Sequence, residues 1–309
     1  MTENEFLLAD RIAKIKSTVN QYGQENFFIS FSGGADSTVL SVLVDMAIPN
    51  NAIPRVYANT GIEMNMIRDF VVKLSQTDER IKIIKPSIPI KQTLEEFGYP
   101  FKSKRHSINV ARYQKSHTLS KYQKRYAEGT CWRACPKKLR YQFTDENKLK
   151  ISHQCCVKMK EEPLAKWANE NGKKHTMLGI MRDEGGQREI SKCLVFEGKE
   201  MKRFQPLVAV TKAWETWFIN EYNIEVCAVY KPPYNYRRTG CKGCPFALKL
   251  QKELDTLEKY FPAERKQCEY IWKPVYDEYR RLKYRLKEPY SHQMTIDEMM
   301  RQIQAKEES

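Results

Sequence analysis

The chain has 309 residues, 41% of them hydrophobic, which is enough to bury a full core and to make one large domain or two of ordinary size. Its 53 Lys and Arg outnumber 38 Asp and Glu, giving a formal net charge of +15 and a pI near 9.3, a balance that suits a polyanionic partner without naming one. No apolar run is long enough to span a bilayer and the opening "MTENEFLLADRIAKIK" lacks the order of a secretory signal, so the expectation is a soluble cytoplasmic protein whose nine cysteines bind metal or do chemistry rather than form disulfides.

An amphipathic helix is expected over residues 5–21, followed at 27–40 by "FFISFSGGADSTVL". Residues 27–31 are aromatic and β-branched, the composition of a buried strand, and 37–46 place Val39, Leu40, Leu43 and Val44 at helical spacing behind Asp36 or Ser37 as a cap. Gly33 and Gly34 between them let a ligand approach the main chain, and a strand, glycine turn and helix amino end together make a place for phosphate. Further strands are expected at 55–58 and 81–84, separated by helices at 64–75 and 90–97, so the pattern is that of a doubly wound, mostly parallel α/β sheet. The stretch "YANTGIE" ends the second strand at the ligand-binding edge and puts Asn59, Thr60 and Gly61 beside the first glycine turn.

From 102 to 125 the pattern breaks. The segment "KSKRHSINVARYQKSHTLSKYQKR" has no acidic residue, reads as a surface insertion, and offers Lys102, Lys104, Arg105, Arg112, Lys115, Lys121, Lys124 and Arg125 to a phosphate backbone, with Tyr113 and Tyr122 to stack on bases. In "GTCWRACPKK" the basic neighbours of Cys131 and Cys135 are of the kind that lowers a thiol pKa, as a persulfide carrier needs; a metal pair or buried thiols fit equally. The run "KHTMLGI" at 174–180 restores the strand pattern, and beyond "QPLVAVTKAWETWFINEYNI" the chain is mostly helical, with the tryptophans expected inside. Cys193 and Cys227 lie in strand-like runs and are expected in the core.

Two cysteine pairs are more specific. Cys155 and Cys156 are adjacent before a helix, and Cys241 and Cys244 flank a glycine turn in "TGCKGCPF". Adjacent thiols rarely converge on one ion, whereas a multi-iron cluster takes them on different irons, so the spacing favours an iron–sulfur cluster over zinc or plain thiols.

The turn Ser32-Gly33-Gly34-Ala35-Asp36-Ser37 matches the Ser-Gly-Gly-x-Asp-Ser loop of the PP-loop superfamily. Tandem Cys-Cys, "PL..W", "LGIMRDEGGQRE", "QPL...W....I..Y" and Cys-x-x-Cys follow it in order, and this series resembles the phosphoadenosine phosphosulfate (PAPS) reductase family. It is most similar to the cluster-bearing branch, which includes adenylylsulfate (APS) reductases and the sulfur-transfer protein of DNA phosphorothioation. The resemblance implies an adenine nucleotide alpha hydrolase-like PP-loop fold with a helical C-terminal part, ATP or PAPS/APS on Ser32, Gly33, Gly34, Asp36 and Ser37 with Mg2+ beside Asp36, and a 4Fe-4S cluster on Cys155, Cys156, Cys241 and Cys244. It also implies that Arg182 and Arg188 face the nucleotide's anionic group, with Glu184 orienting an arginine. The expected organisation is a PP-loop domain over 1–246 with a basic insertion at 102–130, then a helical extension over 247–309.

One departure from the family is that "SHQMTIDEMMRQIQAKEES" holds no Glu-Cys-Gly-x-His tail. The leading expectation is therefore an enzyme that transfers or reduces sulfur with an adenine nucleotide and a cluster, acting on DNA or RNA with a sulfur-donor protein, with Asp36, Arg182 and Arg188 at the reacting group. The alternatives are an APS or PAPS reductase proper, yielding sulfite with thioredoxin as electron donor, and a regulator that binds nucleotide and nucleic acid without turnover.

Overall fold

The computed structural model describes residues 1–184 and 188–287; Gly185, Gly186, Gln187, the side chain of Glu184 and the last stretch, 288–309, lie outside the described part. The chain runs through α1 (Glu3–Tyr22), β1 (Phe27–Ser30), α2 (Ala35–Ala47), β2 (Arg55–Ala58), α3 (Asn65–Ser75), β3 (Ile81–Ile84), α4 (Ile90–Phe97), α5 (Lys104–Ser116), α6 (Lys121–Glu128), α7 (Gln154–Cys156), α8 (Glu162–Glu170), β4 (His175–Met177), β5 (Leu194–Glu197), β6 (Glu200–Phe204), α9 (Lys212–Glu221), α10 (Leu250–Tyr260) and α11 (Pro262–Arg281). The strands form one sheet in the order β3-β2-β1-β4-β6-β5, parallel except where β5 runs antiparallel to β6. Chain order reverses between β1 and β4, and the crevice at the carboxyl end of β1 is where such sheets bind ligands.

Alternation along β1 explains the layering. Phe27, Ile29 and Phe31 turn towards Val39, Leu40, Leu43 and Val44 of α2, while Phe28 faces the opposite side onto Val56 and Ala168 of α8. The expected strands at 27–31, 55–58 and 81–84 are all present, and 174–180 contains β4. Only the start of the β5–β6 hairpin is legible in the sequence, in the strand-like run around Cys193; its turn is made at Gly198, which has φ +62°. Cys227, by contrast, precedes a single 3-10 turn, Ala228–Tyr230, and is buried.

A second and larger core lies in the helical half. Leu94, Val110, Tyr126, Leu254, Trp272 and Tyr276 all belong to it, so α10 and α11 share one core with residues from α4, α5 and α6. The acid-free segment is thus not merely a surface insertion: His106, Ser107, Asn109 and Val110 are buried along one side of α5, because its apolar and small polar residues recur at helical spacing between the cations. The neutral His106 ring is held inside, with Nε2 donating to Gln142 Oε1 at 2.6 Å and Nδ1 accepting from the Tyr126 hydroxyl at 3.0 Å.

Candidate functional site

The turn after β1 is tied to itself. Ser32 N donates to Ser37 Oγ at 3.2 Å, Gly34 N donates to Ser32 Oγ at 3.3 Å, and Ser37 Oγ donates to Gly34 O at 3.0 Å. Gly33 has φ +70°, and a Cβ there would lie 2.6 Å from Val71 Cγ2, so the turn and its packing on α3 both need glycine. Helix α2 starts at Ala35 with Gly34 at its N-cap and no capping side chain; neither Asp36 nor Ser37 caps it, as the sequence had suggested. Its amino end therefore faces the crevice, where the helix dipole favours an anion. The Tyr230 hydroxyl, 2.5 Å from Thr239 Oγ1, covers this end so closely that a Cβ on Gly34 would sit 3.1 Å from it.

Asp36 is already engaged. Its carboxylate forms an ion pair with the Lys212 ammonium, which also holds Glu215 Oε2 at 2.7 Å, and the Lys212 main-chain N–H donates to Asp183 Oδ2 at 2.9 Å. Glu215 is 4% exposed, and burial together with Asp36 pushes its pKa up to about 7. Burial works against the charge on Lys212, but the two carboxylates outweigh it and raise its pKa. One Asp36 oxygen accepts from this ammonium, which already neutralises the carboxylate expected beside a magnesium ion. Arg188 lies within electrostatic reach of Asp36, as does Arg238 of Arg188; burial and Arg238 lower its pKa while Asp36 opposes them. Arg182 is exposed and its Nε donates to Ser191 O at 2.9 Å, so of the two expected arginines only Arg188 shows an electrostatic link to Asp36.

One cleft opens beside this turn, lined by Ser32, Tyr57, Ala58, Glu63, Lys160, Thr239 and Gly240, and it approaches the cysteines through Lys160 and through Gly240, the neighbour of Cys241. The loop after β2 forms its far wall. Asn59 Oδ1 accepts from Gly61 N at 3.2 Å, Thr60 Oγ1 donates to Glu63 Oε1 at 2.5 Å, and Glu63 pairs with Cys241 in an isolated antiparallel bridge beside Lys242 N donating to Ile62 O at 2.8 Å. Cys155 and Cys156 enter from α7, which continues through a π-helical turn, Val157–Glu161, into α8. This wider turn aims Lys160 at the Cys241 thiol, with Glu63 and Cys156 also near its ammonium.

The four thiols influence one another. The hydrogen bond between Cys155 and Cys156, then burial, pushes Cys155 well above the ordinary thiol range, while the same bond lowers Cys156. Burial raises Cys241 and Cys244, with Cys156 adding to both and Lys160 opposing the rise. Helix α11 fixes the loop between the last two: Trp272 Nε1 donates to Lys242 O at 3.1 Å, the Tyr276 hydroxyl to Gly243 O, and the Tyr279 hydroxyl to Pro245 O at 2.9 Å. Gly243 has φ +59° and a Cβ on it would collide with the Tyr276 hydroxyl. Among the described residues, no three or more His, Cys, Asp or Glu side chains converge as a ready site for a single metal ion.

The other expected residues divide. Burial pushes Cys135 up to about 11 despite Lys102 and Arg140, the reverse of an activated thiol, and Cys268 is fully buried beneath Gly243. Of the basic set, Lys102 is half-buried against Tyr126, Lys104 pairs with Glu161 at 2.9 Å, Arg105 lies over the Tyr122 and Tyr126 rings, and Tyr113 packs on the core beside Phe143. Arg112, Lys115, Lys121, Lys124 and Arg125 are exposed, as is Tyr122. Trp132 is 77% exposed with the Arg133 guanidinium 4.1 Å from its ring centre, not packed inside as expected. Lys160, Lys212, Glu215, Tyr230, Arg238 and Thr239 do not stand out in the sequence; the available signals are Lys160 at one helical turn from Cys156 and Arg238-Thr239-Gly240 directly before Cys241.

A family model described as the phosphoadenosine phosphosulfate reductase domain matches residues 26–247. No curated protein matches the chain. Among solved structures, the chain is similar to the phosphoadenylyl-sulfate reductase of Candida auris in a phosphate complex, at 13% identity over 74% of this chain and 93% of that one, with a TM-score of 0.41. It is also similar to the U34-tRNA thiolase NcsA of Methanococcus maripaludis with its [4Fe-4S] cluster, at 17% identity over 95% and 87% and a TM-score of 0.40. A third is the NH3-dependent NAD synthetase of Campylobacter jejuni in complex with nitrate, at 12% identity over 95% and 100%, TM-score 0.40.

Proposed function

The chain belongs to the phosphoadenosine phosphosulfate reductase family, and from that premise we propose that it is an enzyme that binds an adenine nucleotide and transfers or reduces sulfur beside a 4Fe-4S cluster, with nucleic acid as the acceptor. The observation that carries this reading is the single cleft bordered by the Ser32–Ser37 turn at one end and by Lys160, in contact with Cys241, at the other. The amino end of α2 and Arg188 hold the nucleotide's anionic group, and Arg238 adds a second guanidinium. The carboxyl ends of β1 and β2 take the base and ribose, with Asn59, Thr60 and Gly61 at the rim.

Cys155, Cys156, Cys241 and Cys244 would hold the cluster. One buried and three partly buried thiols within each other's electrostatic reach, two of them adjacent on a helix and two in a glycine turn, suit several irons better than one ion. When bound there, a cluster would tune the electrostatics of the neighbouring anion or accept sulfur. Lys160 offers its positive charge to both the thiolates and the cleft, which orients an anionic group between them. Exposed Arg112, Lys115, Lys121, Lys124 and Arg125 supply contacts for a DNA or RNA backbone.

Anaerobically purified protein incubated with ATP, with PAPS and with nucleic acid separates the readings. Pyrophosphate released from ATP in the presence of nucleic acid and a sulfur donor supports sulfur transfer. Sulfite from PAPS indicates a reductase proper, and binding without either product indicates a regulator.

A further inference from the structure

The turn that receives the phosphate, Ser-Gly-Gly-Ala-Asp-Ser, has no cationic side chain and carries the negative charge of Asp36. A polyphosphate brought to it needs a counter-charge from elsewhere. In ATP-binding sites that charge is commonly Mg2+ held by carboxylates and phosphate oxygens. Here the carboxylate oxygen is in contact with Lys212 instead.

We propose that Lys212 stands in for the divalent cation at this site: its ammonium, fixed between Asp36 and Glu215 at the amino end of α2, meets the nucleotide's phosphate directly, and nucleotide binding needs no metal. The inference rests on the nucleotide reading of the Ser32–Ser37 turn. Three contacts fix Lys212: its Nζ bonds Asp36 and, at 2.7 Å, Glu215, and its main-chain N–H donates to Asp183 Oδ2 at 2.9 Å. An ammonium has three donors, so with two engaged one remains for a phosphate oxygen. Lys212 and Ala35, the first residue of α2, line one cavity, next along the turn from the cleft lined by Ser32 and Lys160, so a phosphate at the amino end of α2 would meet the ammonium there.

Displacement of Lys212 by a metal is opposed by Glu215. This residue is 4% exposed and lies against Asp36 as well as Lys212, so removing the ammonium would leave two carboxyl groups together and force Glu215 to take up a proton. Mg2+ also gains less at Asp36 than at a free carboxylate, because the charge of one of its oxygens is already balanced by the bonded ammonium. Arg188, within electrostatic reach of Asp36, adds a second cation to the same neighbourhood.

The test is calorimetric titration of the full chain with ATP, once in EDTA and once in excess Mg2+, for wild type, Lys212→Met and Lys212→Arg, each checked by a thermal melt. Wild type is expected to bind equally well in both buffers. Lys212→Met should lose about tenfold or more in EDTA and recover with Mg2+, which can then reach Asp36, while Lys212→Arg keeps the charge and most of the metal-free affinity. Wild-type binding that requires Mg2+ overturns the inference and leaves the nucleotide reading standing. A folded Lys212→Met that binds ATP like wild type in EDTA also overturns it. Absence of ATP binding by wild type in either buffer refutes the nucleotide reading and this inference with it.

Discussion

The Ser32–Ser37 turn borders the cleft directly and the four thiols meet it only through Lys160 and Gly240, and the chain builds the two in opposite ways. The turn is local: Ser32, Gly34 and Ser37 satisfy one another's polar groups, and β1 and α2 on either side fix its direction. The thiol centre is assembled from afar. Cys155 and Cys156 come from a short helix, Cys241 and Cys244 from a loop whose carbonyls are held by Trp272, Tyr276 and Tyr279 of α11. A self-contained turn tolerates change elsewhere, whereas a centre of mutually interacting thiols depends on its ligand and on distant supports. The two sites should therefore fail independently.

The largest effect expected is at the thiols. Cys241→Ser should abolish the iron and acid-labile sulfide of anaerobically purified protein and lower its melting temperature, while ATP affinity stays within about threefold of wild type. Iron analysis and calorimetry on one preparation check both halves. A reciprocal change sharpens the contrast: Gly34→Val puts a branched side chain against the Tyr230 hydroxyl and over the phosphate position, so ATP affinity should drop by roughly a hundredfold with iron content unchanged. Loss of iron in this variant would mean that the two sites are not built separately.

Acid titration divides the halves by sign. His106 is buried as the neutral ring, its pKa lowered by burial from 6.5 to about 4; the folded chain thus binds fewer protons than the unfolded one in that window, and this contribution is lost as pH falls from 6.5 towards 4. Glu215 is raised from 4.5 to about 7, so the folded chain holds more protons there and its contribution is lost as pH rises from 4.5 towards 7. The two windows overlap and oppose each other, so in urea unfolding across pH 4 to 7 His106→Gln should make stability fall more steeply with rising pH and Glu215→Gln should make it rise more steeply, each by roughly 3 kcal/mol over the window.

The smallest effect is at the surface. Replacing Lys121, Lys124 and Arg125 with Ala should leave stability within about 0.5 kcal/mol and reduce the slope of log affinity for nucleic acid against log salt by roughly one unit for each phosphate that is no longer neutralised. An unchanged slope in gel-shift titrations would show that nucleic acid does not bind through this surface.

What could be read from the sequence follows the same division. The three β-strands up to Ile84, the helices between them and the glycine turn are each fixed by neighbours in sequence, so period and turn chemistry are sufficient to find them. The four cysteines are recognisable by type and spacing. Their supports are not: Trp272, Tyr276 and Tyr279 look like ordinary apolar positions of a helix until their N–H and O–H groups are seen on loop carbonyls. Lys212 and Glu215 are hidden for a related reason, since a Lys and a Glu three apart resemble a surface pair, and only α9 docking beside α2 makes them the neighbours of Asp36. In 102–125 the run of cations without acidic residues masks the buried side of α5, whose apolar period is short and interrupted by polar residues.

The central claim is that nucleotide and cluster meet in one cleft through Lys160. It is tested most directly by titrating ATP into anaerobically purified, reduced protein while following the electron paramagnetic resonance spectrum of its iron. About four iron and four sulfide per chain are expected, with a spectrum that shifts saturably with ATP in wild type and no longer shifts in Lys160→Met. Stoichiometric zinc without iron, or an iron spectrum that ATP leaves unmoved at saturation, would contradict it.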